Sequence, residues 1–428
     1  MSAAWVPRSL NVALRLLAMG SRFALVFVLA KLLEPAEVGL FGLFLGSVGF
    51  SMLMIGGDYY TYSQRELMSL PRGRWSFVLQ HQLLATGMLY LALLPVQLLL
   101  FTFGLLPSEL MLWFFALLVV EHLAQEINRL LVAMQRPLLA SWVLFIRMGA
   151  WVWGLLPIIW FLPHSRNLET IFFAWLIGGL IAILVGLWGI WREVSPWRSW
   201  PLDFAWLKRG FGVGFLFLVA TLCFKALTTA DRFVVEALNG MDLLGVYVLF
   251  MGMAMAIMSF LDAAVFSFLY PRMVSAYRHG DYPMYRRLKK DMLWSTLGIS
   301  SGLAIVIAVA APFVLDWIGR SLYAEQMRLL WLLLVVAVIY AAGMIPHYGL
   351  YARGSDRSIV AAHISSLVVF TLIVTLLARV APLEAAAYGL IAAFVWMGGF
   401  KLLKYRLHSA DLAPRASQPR VLKESTES

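Results

Sequence analysis

The sequence has 428 residues, of which 62% are hydrophobic and only 13% are charged, and its formal net charge is +11. An ordinary soluble domain carries roughly a quarter charged residues, so this composition excludes a chain of soluble domains. Apolar runs of about twenty residues recur along the whole chain, and each is long enough to cross a bilayer as a helix. The composition therefore predicts an all-α polytopic membrane protein.

Twelve apolar segments are predicted as membrane spans. In chain order they lie near residues 9–33, 38–57, 79–104, 109–132, 138–162, 169–191, 211–238, 243–268, 292–316, 327–350, 358–380 and 384–405. The first is expected to stay in the mature protein, because Arg15 and Arg22 interrupt the apolar core that a cleavable signal needs. The single cysteine, Cys223, lies inside a span, so we expect neither an intrachain disulfide nor a thiolate metal site.

Lysine and arginine collect on one side of these spans. Arg8, the junctions after the even-numbered spans, and a C-terminal group that includes Lys401 and Lys404 hold 24 of the 34 basic residues. Because short basic loops stay in the cytoplasm, both termini are predicted to be cytoplasmic. The same asymmetry explains the net charge, so no nucleic-acid partner is expected. The basic junctions 58–78, 192–210 and 269–291 also carry aromatic residues, a mix expected of short helices lying on an anionic leaflet, and the preferred interpretation is loops anchored at the membrane surface.

The two halves of the chain repeat each other. Ser21-Arg22-Phe23 recurs 210 residues later as Asp231-Arg232-Phe233, and at the same offset Arg15 matches Lys225. These positions share one helix face, so each half carries a basic stripe. A second match aligns residues 37–44 with residues 243–250. Six spans separate the copies, which predicts two parallel six-helix bundles around a central cavity.

These bundles give the expected domain organisation. Residues 1–191 are predicted to form the N-terminal bundle, 192–210 a basic cytoplasmic linker, 211–406 the C-terminal bundle and 407–428 a polar cytoplasmic tail. The cavity between the bundles is the expected functional site.

Short motifs along the chain resemble the polysaccharide-transport family of the multidrug/oligosaccharidyl-lipid/polysaccharide exporter superfamily, which contains the O-antigen and exopolysaccharide flippases. The resemblance rests on Ser21-Arg22-Phe23, on residues 33–41 (LEPAEVGLF), on the stretch from Asp231-Arg232-Phe233 to Leu244-Gly245-Val246-Tyr247, and on Tyr270-Pro271-Arg272-Met273. It covers the whole chain in span count and topology. The lipid II flippases of this superfamily have about two more spans, and its drug exporters usually keep carboxylates in an early span where this chain has arginines.

The resemblance implies a function in polysaccharide or lipopolysaccharide biosynthesis. It implies a multi-pass protein of the bacterial inner membrane that moves an undecaprenyl-diphosphate-linked oligosaccharide from the cytoplasmic to the periplasmic leaflet by alternating access. The implied partners are that lipid-linked oligosaccharide, membrane lipids, and the polysaccharide polymerase and chain-length proteins. No cofactor is expected, although coupling to a proton or a sodium ion is an open alternative.

Basic residues inside the spans are the candidate substrate-binding groups. Such charges are expensive in a bilayer, so they face a bundle interior or line a wet cavity. Five of them suit a diphosphate head group, which arginine grips as a fork and lysine as a point charge: Arg15, Arg22, Arg147, Lys225 and Arg232. The alternative is mutual neutralisation, with Glu121 at about the depth of Arg22 and Glu126 at about that of Arg15.

Buried acids provide a second set of candidates, either for ion coupling or for ion pairing. They are Asp58, Glu121, Glu126, Asp231 and Asp262. A desolvated carboxylate could load and release a proton during a transport cycle, whereas an ion pair would only hold helices together. His347 and His363 are isolated in the sequence and are interpreted as packed or hydrogen-bonded side chains.

Two other functions compete with the flippase. A drug or small-metabolite antiporter of the same superfamily is the nearest alternative. A membrane-embedded glycan polymerase or transferase is disfavoured, because the loops on the non-basic side are short and no paired-carboxylate, phosphate-loop or nucleophile motif occurs. The sequence therefore indicates a transporter and not an enzyme.

Overall fold

A computed structural model describes residues 5–410, with side chains described from residue 10 to 407 except 12, 216 and 217. In this range the chain forms helices and no strand. The helices are α1 (Trp5–Leu32), α2 (Pro35–Gly56), α3 (Tyr60–Ser69), α4 (Trp75–Leu93), α5 (Leu99–Thr102), α6 (Met111–Ala133), α7 (Pro137–Phe145), α8 (Trp151–Phe161), α9 (Leu168–Val194), α10 (Phe204–Asn239), α11 (Met241–Leu261), α12 (Ser267–Arg278), α13 (Tyr282–Ile318), α14 (Ser321–Glu325), α15 (Met327–Ala352), α16 (Asp356–Leu377) and α17 (Ala385–Ala410).

The predicted spans are confirmed as helices. Within the described residues, eleven helices are long and apolar enough to cross a membrane, and α10, which bends by 40° between Phe204–Phe215 and Leu218–Asn239, would be a twelfth. Two spans contain a π-helical turn, Ile146–Ala150 between α7 and α8 and Asp262–Phe266 between α11 and α12. The outcome agrees with the predicted count of about twelve.

Local sequence signals explain where several helices begin and end. At the start of α2, Pro35 occupies the first turn and Glu34 forms a capping box with Glu37. The same helix ends where Gly57 adopts a left-handed conformation with φ 58°. Asp203 caps α10 by accepting a hydrogen bond from the Trp206 amide at 2.8 Å.

The basic junctions differ from the prediction. Residues 60–69 form α3, and residues 267–278 form α12, which continues the span of α11. The interpretation as loops is therefore wrong for residues 60–69 and 267–278, because hydropathy marks only the apolar part of a helix and not its polar extension. The alternative of short helices agrees with the secondary structure of α3. Between the halves, only residues 195–203 lack helical structure. The predicted tail lies outside the described residues from residue 411 onward.

The two halves pack in the same way. The N-terminal lobe contains α1–α9 and the C-terminal lobe α10–α17. In the first lobe α1 packs on α7 and α8, and α6 packs on α9; in the second, α10 packs on α16, and α15 packs on α17. The internal repeat read from the sequence thus corresponds to two similar helix bundles, as predicted.

The lobes are in contact at both ends of the interface. At the end that carries the basic junctions, the first turns of α10 pack on α3, and a Cβ on Gly214 would meet the Gly57 carbonyl. The other end, which we call the closed end, is defined by residues 33–35 and 239–241.

At the closed end, α2 and α11 cross at Gly39 and Gly245, two glycines that the internal repeat aligns. The crossing leaves no room for a side chain at either position. A Cβ on Gly39 would meet the Met241 carbonyl, and one on Gly245 would meet the Pro35 carbonyl. Glycine is therefore required for this helix crossing. The opposite end carries the basic junctions and is called the basic end.

Three further contacts join the lobes at the closed end. Arg320 donates to both carboxylate oxygens of Glu34, at 2.7 and 3.2 Å. Lys31 donates to the Trp317 carbonyl, and the Trp160 ring stacks on Trp317 with centroids 6.4 Å apart. If the termini are cytoplasmic as predicted, this arrangement is closed to the periplasm.

Candidate functional site

Three basic side chains meet at the interface between the lobes. Arg22 comes from α1, while Lys225 and Arg232 lie on α10, on either side of the kink at Thr228. Both α10 cations point at glycines of α2: Arg232 Nη1 lies against Gly46, and Lys225 Nζ would be 3.4 Å from a Cβ at Gly49. The glycines therefore leave the space that the long basic side chains occupy.

No described carboxylate forms an ion pair within 4.0 Å with these three cations, although Glu121 interacts electrostatically with Arg22 and Asp231 with Lys225. Electrostatic interactions also connect the three cations, since Lys225 interacts with both Arg22 and Arg232. All three side chains are half-buried, which is consistent with contact with a space between the lobes.

The carboxylate next to Arg232 in the sequence, Asp231, binds neutral hydrogen-bond donors. Asp231 is buried, accepts a hydrogen bond from the Tyr247 hydroxyl at 2.7 Å, and accepts a second from the Arg232 backbone amide at 2.9 Å. Both carboxylate oxygens of Asp231 are thus occupied by neutral donors. The Asp231 carboxylate still interacts electrostatically with Lys225, but it forms no described ion pair within 4.0 Å with Lys225 or Arg232.

Arg147, in contrast, forms a buried ion pair within the N-terminal lobe. Its Nε lies 3.5 Å from the Glu121 carboxylate, which also accepts a hydrogen bond from the Trp175 indole at 2.6 Å. Arg147 lies on the π-helical turn, 7% exposed. The predicted pairing of Glu121 with Arg22 is replaced by this contact, although Glu121 still interacts electrostatically with Arg22.

Glu126 belongs to a second network of the same lobe. It accepts hydrogen bonds from Arg129 at 2.6 Å and from Gln82 at 2.9 Å, and His122 Nε2 lies 4.0 Å away. Arg15 instead donates to the Ser141 hydroxyl at 3.4 Å. The predicted Arg15–Glu126 pair is therefore wrong, because Arg129 lies one helical turn from Glu126 and takes its place.

The other two acids have different environments. Asp58 is buried in the tight turn between α2 and α3, with a φ of 48°, and its Oδ2 has no hydrogen-bond partner among the described residues. Burial raises the pKa of this carboxyl. Asp262 is exposed on the π-helical turn after α11 and forms none of the described ion pairs. Of the five acids, Asp58 remains the candidate for ion coupling.

An apolar cavity is lined in part by the stretch of α10 that carries Lys225 and Arg232. Its volume is about 290 Å³, and its lining comes from α2, from the segment at the end of α4, and from α10. Ala226, Thr229, Ala230 and Phe233 form the α10 wall. Each is one residue from Lys225 or Arg232 or lies between them, so the same stretch of α10 carries a cationic and an apolar surface.

Sequence reasoning missed one buried charge. Lys401 was assigned to the cytoplasmic basic group, but the structure buries it inside the C-terminal lobe with 2% exposure. It donates to His363 Nε2 at 3.2 Å, and the His363 and His347 rings stack with centroids 6.1 Å apart. The rule that basic residues collect on the cytoplasmic side assigns a lysine near the end of a span to that side. Only the position of Lys401 within the continuous helical pattern of α17 could have indicated that it is buried.

The described residues also bear on metal binding. No group of three or more His, Cys, Asp or Glu side chains in the described part of the chain could hold a metal ion.

Comparisons with known proteins show the fold. No family model matches the sequence, and no curated protein matches it either. Among solved structures, an inward-facing multidrug resistance MATE family transporter of the MOP superfamily has a TM-score of 0.75 at 15% identity, covering 97% of this chain and 100% of that one. An outward-facing structure described in the same terms gives 0.59, with coverage of 95% and 96%.

A third similar structure is a MOP superfamily transporter from Pyrococcus furiosus whose description reports a binding pocket of reversed polarity and a different function. It has a TM-score of 0.60 at 16% identity, covering 95% of this chain and 96% of that one. At these identities the likeness establishes a MATE-like transporter fold with two helix bundles.

Proposed function

We propose that this protein is a flippase that moves an undecaprenyl-diphosphate-linked oligosaccharide across the bacterial inner membrane by alternating access. The observation that carries the proposal is the unpaired positive charge of Arg22, Lys225 and Arg232 at the interface between the lobes. A charge within a bilayer is expensive, so three cations without a described ion pair within 4.0 Å favour an anionic ligand.

A diphosphate head group fits these cations chemically. It brings at least two negative charges and several acceptor oxygens, which arginine binds with two parallel hydrogen bonds and lysine as a point charge. Arg22 belongs to the N-terminal lobe, whereas Lys225 and Arg232 belong to the C-terminal lobe. An anion bound among them would therefore contact both lobes, which is what coupling a substrate to their relative movement requires.

The apolar cavity supports a ligand that also has a hydrocarbon chain. A cavity of about 150 Å³ can hold benzene, and the cavity beside α10 has about 290 Å³. Residues at its edge, including Val96, Leu99 and Phe103, are 41–73% exposed, as expected of side chains that face lipid. The first isoprene units of a polyprenyl chain would fit there while the head group contacts the cations.

Alternating access is supported by the closed end. The α2–α11 crossing at Gly39 and Gly245 and the Glu34–Arg320 ion pair join the lobes there, and the inward-facing transporter gives the higher TM-score of the two conformations compared. With the predicted orientation, a cytoplasmic substrate would enter from the basic end. Opening of the closed end would then release it to the periplasm.

The test is a flipping assay in proteoliposomes with a fluorescent polyprenyl-diphosphate oligosaccharide, using a membrane-impermeant quencher to follow the leaflet. We expect Arg22→Ala, Lys225→Ala and Arg232→Ala each to lower the flipping rate and the affinity for polyprenyl diphosphate about 10- to 100-fold. That range corresponds to one charge-assisted hydrogen bond lost per variant.

Arg357→Ala is the matched control, because Arg357 is an exposed arginine at the start of α16 and lies outside the interface. It should leave flipping and binding unchanged. Full flipping activity in all three interface variants, with normal protein levels, would contradict the proposal.

The alternative function is an ion-coupled drug or small-metabolite antiporter, which the MATE-like fold favours. The distinguishing experiment measures efflux of cationic and anionic compounds from cells that express the protein, beside the flipping assay. Efflux without flipping would favour the antiporter, and an anionic specificity would still fit the cation cluster. A glycan polymerase or transferase remains the least favoured function, and no catalytic group is proposed.

The remaining assignments accompany the flippase proposal. The polysaccharide polymerase and chain-length proteins would act on the glycan after translocation and are the proposed partners beside membrane lipids. No cofactor is proposed. Transport would be driven by a proton or a sodium ion, for which Asp58 is a candidate site because its buried Oδ2 lacks a hydrogen-bond partner.

A further inference from the structure

A second cluster of basic groups lies inside the C-terminal lobe, away from Arg22, Lys225 and Arg232. The Lys401 cluster consists of Lys401 on α17, His363 on α16 and His347 on α15. Lys401 and His363 are 2% and 8% exposed, and Lys401 Nζ lies 3.2 Å from His363 Nε2. Three neighbouring helices thus each contribute one titratable side chain to the same point.

The hydrogen bonds of the cluster define where its proton resides. His363 Nδ1 donates to the Ala220 carbonyl of α10 at 3.2 Å, so its Nε2 is an acceptor in the neutral ring. Lys401 donates to that Nε2. His347 Nδ1 is buried and has no hydrogen-bond partner among the described residues. The pair therefore shares one proton and offers a further acceptor nitrogen beside it.

No carboxylate in the described part of the chain forms an ion pair with this cluster. Among the described ion pairs, none within 4.0 Å includes Lys401, and the electrostatic interactions of His347 are with Lys401 and His363. The acids on the packed helices are Asp231 and Glu236 on α10, Asp242 on α11, Asp291 and Asp316 on α13, and Asp356 on α16, with Asp262 directly after α11. Other titratable and charged groups on these helices include Lys225 on α10, Tyr285 and Lys289 on α13, Tyr340 and Arg353 on α15, Arg357 on α16, and Lys404 and Tyr405 on α17. Asp262 interacts with Tyr340 and Tyr348 instead, and Arg353 and Lys289 lie over Tyr405.

The cluster is connected to the helix that carries the substrate-site cations. Ala220 lies on α10 between two irregularities of the helix. The first is the bend after Phe215, and the second is Thr228, whose φ and ψ of −90° and 15° are not helical. The Phe224 ring lies on His363, with centroids 5.2 Å apart. Any change in charge at His363 therefore acts directly on the segment of α10 that precedes Lys225.

We infer that the Lys401 cluster is a proton-binding site whose occupancy biases the position of α10, and through it the balance between the two conformations of the transporter. A proton taken up by the Lys401–His363 pair adds a positive charge that no described ion pair neutralises, so the protonated lobe favours an arrangement in which the cluster gains water or an anion. Such a site goes beyond the proposed cargo, since it would act with any substrate.

The test measures conformation without substrate. Spin labels at Glu109→Cys and Arg379→Cys, which are exposed at the closed end of opposite lobes, report the separation of the lobes in a Cys223→Ser background. Distances are recorded by electron paramagnetic resonance at about pH 5.5 and about pH 8.5, a range in which histidine titrates. In the otherwise unchanged protein, the ratio of the two distance populations should change at least about threefold.

Lys401→Met, which cannot carry a charge, and Lys401→Arg, which cannot release one in this range, should both remove most of that change. Lys404→Met on the same helix is the matched control and should retain it. If either Lys401 variant fails to fold, His363→Gln replaces it, because the amide can still donate to the Ala220 carbonyl but cannot titrate.

A pH response that persists in both Lys401 variants, or its absence from the parent protein, would overturn the inference. These outcomes are independent of the flippase proposal, because no lipid-linked oligosaccharide is present. Loss of flipping in the interface variants with an unchanged pH response would instead support the substrate site and leave the proton site in place.

Discussion

The two lobes differ in whether their buried charged side chains form ion pairs. In the N-terminal lobe, Glu121 pairs with Arg147, and Glu126 pairs with Arg129. In the C-terminal lobe, Asp231 binds neutral donors, and neither Lys225 nor Lys401 has a described carboxylate within 4.0 Å. The packing of the lobes is similar, so the difference lies in side-chain chemistry and not in fold.

This difference indicates separate roles for the two lobes. Paired charges hold helices in one arrangement, because breaking a buried pair leaves an uncompensated charge. Unpaired cations contribute no such restraint and are available to a ligand or a proton. Apart from Arg22 and Asp58, the charges of the N-terminal lobe are therefore expected to make it the more rigid half, and the C-terminal lobe is expected to contain most of the groups that respond to substrate and pH.

The largest expected effect comes from breaking a pair in the N-terminal lobe. Glu121→Gln leaves Arg147 buried without its carboxylate, and we expect the free energy of unfolding to fall by about 3–5 kcal/mol. The measurement is detergent-induced unfolding in mixed micelles. Combining Glu121→Gln with Arg147→Met should recover part of the loss, and a single variant as stable as the parent would contradict the contrast between the lobes.

Removing a cation from the C-terminal lobe should not lower the free energy of unfolding. Lys225→Met deletes a charge that lacks a carboxylate partner, so the free energy of unfolding should stay the same or rise by up to about 2 kcal/mol. Binding of polyprenyl diphosphate should weaken in the same variant. A clear loss of stability would show that Lys225 has a structural role resembling that of Arg147.

The smallest effect is expected at the contact between the lobes. The hydrogen bond from Arg320 lowers the pKa of the Glu34 carboxyl. The ion pair therefore contributes fully above the ordinary carboxyl pKa, and its contribution is lost as the pH falls through the lowered value. Because Glu34 is exposed, Glu34→Gln at neutral pH should change the ratio of closed to open molecules by less than about fivefold.

The same spin-label pair at positions 109 and 379 measures this change. Glu37→Gln, on the first turn of α2, is the control, since it retains the ion pair with Arg320. A shift in the Glu37 variant as large as that in the Glu34 variant would assign the effect to helix capping.

Much of the fold was predictable because the length of an apolar segment identifies it as a membrane span. The repeat was also readable: Gly39 and Gly245, aligned in the sequence, meet at the crossing of α2 and α11. The partners of buried charges were harder to predict. Arg15 and Glu126 have matching depths, but Arg129 lies one turn from Glu126 on the same helix and forms the pair instead.

The sequence by itself determined the membrane class, the span count, the twofold repeat and which residue types carry charge into the bilayer, because each of these depends on order along the chain. Only the tertiary structure decided which charges are neutralised. Arg147 and Lys225 are both isolated cations in apolar helices, yet one faces Glu121 and the other faces a glycine of α2. That outcome depends on how helices rotate and cross, and one-dimensional spacing does not encode it.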